Sequence, residues 1–249
     1  MKVKFEVADF SYIMNSIKEF LLYEPETFLD RITYFYKDID ESVFISLDKT
    51  YQVEYIEKRL LDNYNSNELV LLEKKNSYQK CWDFYEEEIQ QGFEEVFDID
   101  LKDKFNNMVA YISLNPVMPR YLETNTFDIF YINSDKEAVG CALHEITHFI
   151  WFNIWQSYFH DNPEEYETPH LKWILSEMAI DPILNEKRLA YLNPYEQKAY
   201  DCFYSIEIDG KPAMDCLREI YENNSILDFM KKGYEFCLVH RDKIGEVKL

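Results

Sequence analysis

Residues 133–155 read NSDKEAVGCALHEITHFIWFNIW, and this stretch decides the reading of the chain. Ser134 followed three residues later by Glu137 is a capping box. The hydroxyl accepts the N–H of Glu137 while the carboxylate reaches back to the N–H of Ser134, so a helix is predicted to start there. No proline interrupts residues 136–156, and apolar residues fall on nearly every face. A helix that is apolar all round is a buried one. Within it, HEITH sets His144 and His148 four residues apart, on one face and one turn from each other. Two neutral imidazoles in that relation can chelate one ion, and nitrogen ligands at about 2.0–2.1 Å suit zinc. Glu145 can reach a metal-bound water without being a ligand, which makes it the candidate general base of metal-assisted hydrolysis. Burying a carboxylate without a partner is costly, so a metal with its water is an economical explanation for Glu145. The competing reading is a pair of packed histidines bonded to the backbone.

Downstream, the loop HDNPEEYETP (160–169) ends the region. Thr168 and Pro169 suit the cap and first position of a helix from about 170 to 181. This helix, LKWILSEMAID, carries Glu177 amid Ile174, Leu175, Met178 and Ile180. A catalytic zinc takes three protein ligands and leaves one position open, and Glu177 is the candidate third ligand. The alternative is a surface glutamate on an amphipathic helix. Asp181 lies four residues on, on the same face. It can orient a zinc-bound histidine by accepting a hydrogen bond from the other ring nitrogen. Equally, Asp181-Pro182 marks a helix end. Asn193, Pro194 and Glu196 announce a further helix to about 206, Asp209-Gly210 reads as a turn, and 212–222 and 225–241 read as two closing helices.

Upstream, residues 107–114 (NMVAYISL) and 126–132 (TFDIFYI) are rich in β-formers and read as two strands of a small sheet. NPVMPRYLETN between them suits a loop. Residues 2–8 alternate as a strand does, and 42–47 (SVFISL) form a short extended candidate. Residues 10–23, 26–38, 50–63 and 66–97 have helical spacing. The expected class is α+β, mainly helical with a small sheet. A composition shift near residue 105 separates a mainly helical region, 1–105, from 106–249. No Ser/Gly/Pro-rich linker marks the boundary, so one continuous domain fits as well.

The formal net charge of −21 makes nucleic acid and anionic membranes poor partners and favours basic peptides or proteins. The bland alternative is a solvated acidic surface with no partner meaning. Five cysteines, an odd number without CxxC spacing, argue against a disulfide framework. MKVKFEVADF lacks the apolar core of a signal peptide, and the expected location is cytoplasmic. Oligomeric state leaves no mark in the sequence.

HExxH followed by a helix carrying ExxxD resembles the gluzincin class of zinc metallopeptidases, the thermolysin-like set, among them small bacterial gluzincin-like proteins. The resemblance covers residues 126–182. It implies His144, His148 and Glu177 as zinc ligands, Glu145 as base, Asp181 as orienter and a zincin-like active-site helix behind an edge strand. The chain lacks the HExxHxxGxxH of metzincins, since Trp151 and Ile154 stand at the glycine and third-histidine positions. Gluzincins supply a Tyr or His to the tetrahedral oxyanion. His170 and His240 are the first candidates here, with Tyr166, Tyr200 and Tyr204 also available, and each has an ordinary packed or surface role as its alternative. His160 reads as surface, Cys141 as a small buried hydrophobe, and Trp82, Trp151, Trp155 and Trp173 as core. Trp151 and Trp173 also flank the expected site.

The expected function is zinc-dependent peptide hydrolysis. The strand at 126–132 is expected to be a sheet edge that pairs with an extended peptide. A catalytically inactive zinc-binding protein of the same fold, acting as a protein-binding module through its helical 9–105 region, is the second reading. A zinc hydrolase of non-peptide amides or esters is the third.

Overall fold

The computed structural model describes residues 1–23, 25–160, 163–192 and 198–245. Along the chain run β1 (Val3–Val7), α1 (Phe10–Tyr23), α2 (Pro25–Phe35), α3 (Glu41–Ser46), α4 (Lys49–Ser66), α5 (Glu68–Phe97), β2 (Met108–Ser113), β3 (Arg120–Tyr121), β4 (Thr126–Phe130) and α6 (Asp135–Phe159). A 3-10 turn (Pro163–Tyr166) follows. Then come α7 (Leu171–Leu184), α8 (Lys187–Ala190), α9 (Asp201–Tyr204), β5 (Glu207–Ile208), β6 (Lys211–Pro212), α10 (Ala213–Glu222), α11 (Ile226–Val239) and α12 (Arg241–Ile244). The class is α+β, mainly helical with a small mixed sheet, as expected. None of the described helices is long and apolar enough to cross a membrane.

Two compact units emerge, each built from two chain segments: Met1–Phe84 with Asp103–Ala142, and Tyr85–Lys102 with Leu143–Leu249. In the first, the sheet has the order β1-β2-β4-β3. The pairs β1–β2 and β2–β4 are parallel, in the registers Phe5↔Ala110 and Ala110↔Phe127, and β3 runs antiparallel to β4. Phe5, Ala110, Ile112, Phe127 and Ile129 are fully buried. Trp82 packs against Phe5, with ring centroids 6.3 Å apart. β1 keeps the alternation of a half-exposed strand, with Lys4 and Glu6 paired on its outer side.

Two expectations are corrected in this unit. The stretch expected to be extended at 42–47 is instead the helix Glu41–Ser46, with Leu47 as its cap. Asp40 caps the turn by accepting the Val43 N–H at 3.1 Å, and Phe44 is its buried anchor. A cap outweighs the β-propensity of Val43, Phe44 and Ile45 in so short a segment. The strand at 126–130 is also not a sheet edge. Arg120 and Tyr121 fold back against Phe127 and Thr126, and Pro119 accepts the Asp128 N–H at 2.9 Å. Five consecutive buried residues, Thr126–Phe130, fit an inner strand. The covering strand is two residues long and sits inside a segment whose prolines read as loop.

The capping box closes as the spacing predicts. The Ser134 N–H donates to Glu137 Oε2 at 2.6 Å, and the Glu137 N–H donates to Ser134 Oγ at 3.3 Å. The Ser134 backbone and hydroxyl hold the Glu137 carboxyl below its usual range. A depressed folded-state pKa means that the bond stabilises the fold above the unfolded carboxyl value of about 4 and that this contribution is lost as pH falls through the lower folded value. Ser134→Ala is expected to cost about 1 kcal/mol in urea unfolding at neutral pH. The Ser134→Ala penalty should shrink below about pH 4.

In the second unit α7 is the central helix. Every residue from Lys172 to Leu184 is buried, and α10, α11, α12 and the 3-10 turn pack around it. Gly233 lets α11 close on α7, since a Cβ there would stand 3.1 Å from Leu175 Cδ1. The helix starts at Leu171, close to the expected 170, with His170 rather than Thr168 as its cap residue, and runs through Pro182 to Leu184. Asp181-Pro182 therefore does not end it. Pro182 has no N–H to give to the helix, and α7 continues only to Leu184 beyond it. The expected turn at Asp209-Gly210 joins β5 to β6, and both residues have positive φ, 52° and 82°, as a tight hairpin requires. The helix expected from 193 to about 206 begins outside the described residues, and only Asp201–Tyr204 of that stretch is described as helical.

Candidate metal centre

The candidate centre lies wholly within the second unit, on α6 and α7. The apolar surroundings of HEITH bury α6 so thoroughly that His148 is inaccessible and Glu145 retains 9 % exposure. Thr147 turns its hydroxyl back onto the Leu143 carbonyl at 2.8 Å, satisfying the one other polar group in the motif. His144 and His148 bring their Nε2 atoms to 3.2 Å from each other. Glu177 on α7, 2 % exposed, completes a triangle of side chains and turns one oxygen to each nitrogen. Oε2 lies 3.5 Å from His144 Nε2, and Oε1 lies 3.3 Å from His148 Nε2. The side chain of His144 keeps 27 % of its surface, so the triangle is open on that side and closed on the His148 side.

Glu145 Oε1 stands 4.0 Å from His144 Nε2, farther than any edge of the triangle. It is still close enough to stand among the donor groups round the two nitrogens. His144, Glu145 and His148 form a group that can hold a metal ion. Two imidazole nitrogens facing each other at this distance need a shared proton or a cation between them, because two lone pairs there repel.

The structure thus brings together His144, Glu145, His148 and Glu177. It does not bring Asp181 to a histidine. Arg218 of α10 holds the Asp181 carboxylate in a fork, Nε to Oδ1 at 3.1 Å and Nη2 to Oδ2 at 2.7 Å, and the Tyr204 hydroxyl donates to Oδ2. The expected orienting bond is replaced by this network because α10 presents a planar cation to that face of α7. Burial, and then the hydrogen bond to Asp181, push the Tyr204 hydroxyl above its ordinary value, and its oxygen also accepts the Ala199 N–H at 3.1 Å. The bond to Asp181 raises the Arg218 pKa.

Neither histidine proposed for the oxyanion hydrogen-bonds to the cluster. His170 is the exposed residue preceding α7. His240 sits at the junction of α11 and α12 with its ring against Phe236, centroids 4.9 Å apart. Tyr166 is buried and stacks on Phe152, while Tyr200 is exposed, with its ring near Trp173. His160 is exposed, and all four tryptophans are buried. Trp151 packs between Trp155 and Phe229. Cys141 lies in the first unit, where it accepts from Asn133 Nδ2 at 3.4 Å.

Arg218 went unread in the sequence. Its partner lies 37 residues away, and no spacing rule links the two. The His148–Phe152 ring contact had a local signal in the four-residue spacing on one helix.

Comparison of the chain with protein-family models, with curated proteins and with solved structures finds no match.

Proposed function

We propose that the protein is a zinc-dependent hydrolase of peptide bonds, with His144, His148 and Glu177 as metal ligands and Glu145 as general base. The observation that carries this reading is the size of the triangle. A tetrahedral zinc bonded at about 2.0–2.1 Å spaces its ligand atoms about 3.3–3.4 Å apart. The two nitrogens stand 3.2 Å apart, with Glu177 Oε2 3.5 Å from His144 Nε2 and Oε1 3.3 Å from His148 Nε2, so each neighbouring pair of donor atoms has that spacing. Two imidazoles and one carboxylate are also a donor set that zinc favours in catalytic sites, with one position left open. The order HExxH then Glu along the chain supports the resemblance to gluzincins.

Held by His144, His148 and Glu177, zinc would supply a Lewis acid that brings the pKa of a water toward about 7. Glu145 takes a proton from the attacking water at its carboxylate and returns it to the leaving amine. Near-burial keeps that carboxylate poorly solvated, which strengthens its interaction with charge developing nearby. The acidic surface favours peptides rich in Lys and Arg.

The protein loaded with one equivalent of Zn²⁺ should cleave a panel of internally quenched peptides, basic ones fastest. 1,10-Phenanthroline should stop cleavage and added Zn²⁺ should restore it. Bound zinc with no cleavage across the panel would instead favour the inactive binding module, and cleavage of ester or non-peptide amide probes alone would favour the third reading.

A further inference from the structure

His148 is one end of a stack of three rings. Phe152, one turn further along α6, lies 17° from parallel to it with centroids 6.3 Å apart. Tyr166, carried by the 3-10 turn, lies 20° from parallel to Phe152 at 4.4 Å. His148 is fully buried, and Phe152 and Tyr166 are each 3 % exposed. All three belong to the second unit, so the stack ties the 3-10 turn to one metal-facing histidine.

The ring nitrogen of a histidine offers its lone pair in the plane of the ring. Rotation about the bond joining ring to Cβ is broad and roughly two-fold, so an imidazole needs help to keep one plane. A ring turned out of plane no longer aims its lone pair at the ion, even when its Cα has not moved. Flat faces packed in parallel restrict that rotation. A hydrogen bond to the second nitrogen acts on the ring's edge; a flat surface acts on its face.

We infer that Phe152 and Tyr166 are positioning residues that fix the plane of the His148 imidazole and so preorganise the metal centre. The inference rests on the metal-site reading given above. Neither residue touches the reacting atoms. They act through His148, and their removal should weaken metal binding even where the fold survives.

Dissociation constants for Zn²⁺ and Co²⁺ measured on the full chain against a chromogenic chelator test this, with the visible spectrum of the Co²⁺ form as a report on geometry. Phe152→Leu and Tyr166→Leu should each weaken binding about tenfold or more and alter the Co²⁺ bands. Tyr166→Phe keeps the ring and should bind as wild type does. Trp155→Leu removes the ring stacked on Trp151 in the same helix. It should lower the thermal midpoint and leave metal affinity unchanged. Should Phe152→Leu not fold, Tyr166→Leu carries the test, since its ring comes from outside α6.

Wild-type affinity in Phe152→Leu and Tyr166→Leu overturns the inference, and so does an equal loss in Trp155→Leu, which would mean that any core aromatic matters. A wild-type protein that takes up neither metal overturns the metal-site reading itself, and the inference with it.

Discussion

Glu145→Gln is expected to lower the turnover of a cleaved peptide by about 10²–10⁴-fold while the metal stays bound. Glutamine has nearly the same shape, so packing around α6 is preserved. It cannot take a proton, so the step assigned to Glu145 is lost. The separation of roles follows from distance. Glu145 Oε1 lies 4.0 Å from His144 Nε2, outside a triangle whose longest edge is 3.5 Å. A variant of a ligand, such as Glu177→Gln, should instead lose metal and turnover together. Zinc per chain and kcat, measured on the same Glu145→Gln preparation, distinguish the two. Unchanged turnover would remove Glu145 from the chemistry, whereas loss of the metal would make it a ligand.

Arg218→Met should cost about 3 kcal/mol of stability. Asp181 is 3 % exposed, and Arg218 supplies two of the three hydrogen bonds to its carboxylate. Removing the arginine leaves a buried anion with one neutral donor, and breaking such a pair is far more costly than never having built it. The side chain of Arg218 is 37 % exposed, so water can partly replace it and the cost falls toward the low end. Urea unfolding of Arg218→Met, Asp181→Leu and the double variant measures the coupling. The double variant should be less destabilised than the sum of the singles. Strict additivity would show that the fork contributes nothing beyond its separate parts.

Much of the candidate centre was legible in local pattern, because a helix translates spacing into geometry. His144 and His148 at four residues, Glu145 beside them and the Ser134–Glu137 box follow from one periodicity. Glu177 was legible for another reason, as a carboxylate in an apolar stretch, even though its distance from His148 along the chain follows no helical rule. What escaped were relations between distant segments. The partner of Asp181 is on α10, and the strand covering β4 is a two-residue return inside an apparent loop. The turn at 41–46 shows the opposite failure, where three β-formers outweighed one capping aspartate in the reading and the aspartate prevailed in the fold.

The surface charge and the core make separate statements. A net charge of −21 bears on partners, and an apolar α6 and α7 bear on burial. The two histidines and two glutamates join them, since they place ionisable groups within apolar helices.

The most direct test is an anomalous difference map from crystals grown with zinc, with data collected on both sides of the zinc absorption edge. One ion is expected, bonded to His144 Nε2, His148 Nε2 and Glu177, with no fourth protein ligand and Glu145 beside the open side. An empty triangle in zinc-grown crystals, or an ion closed off by a fourth side chain, would contradict it.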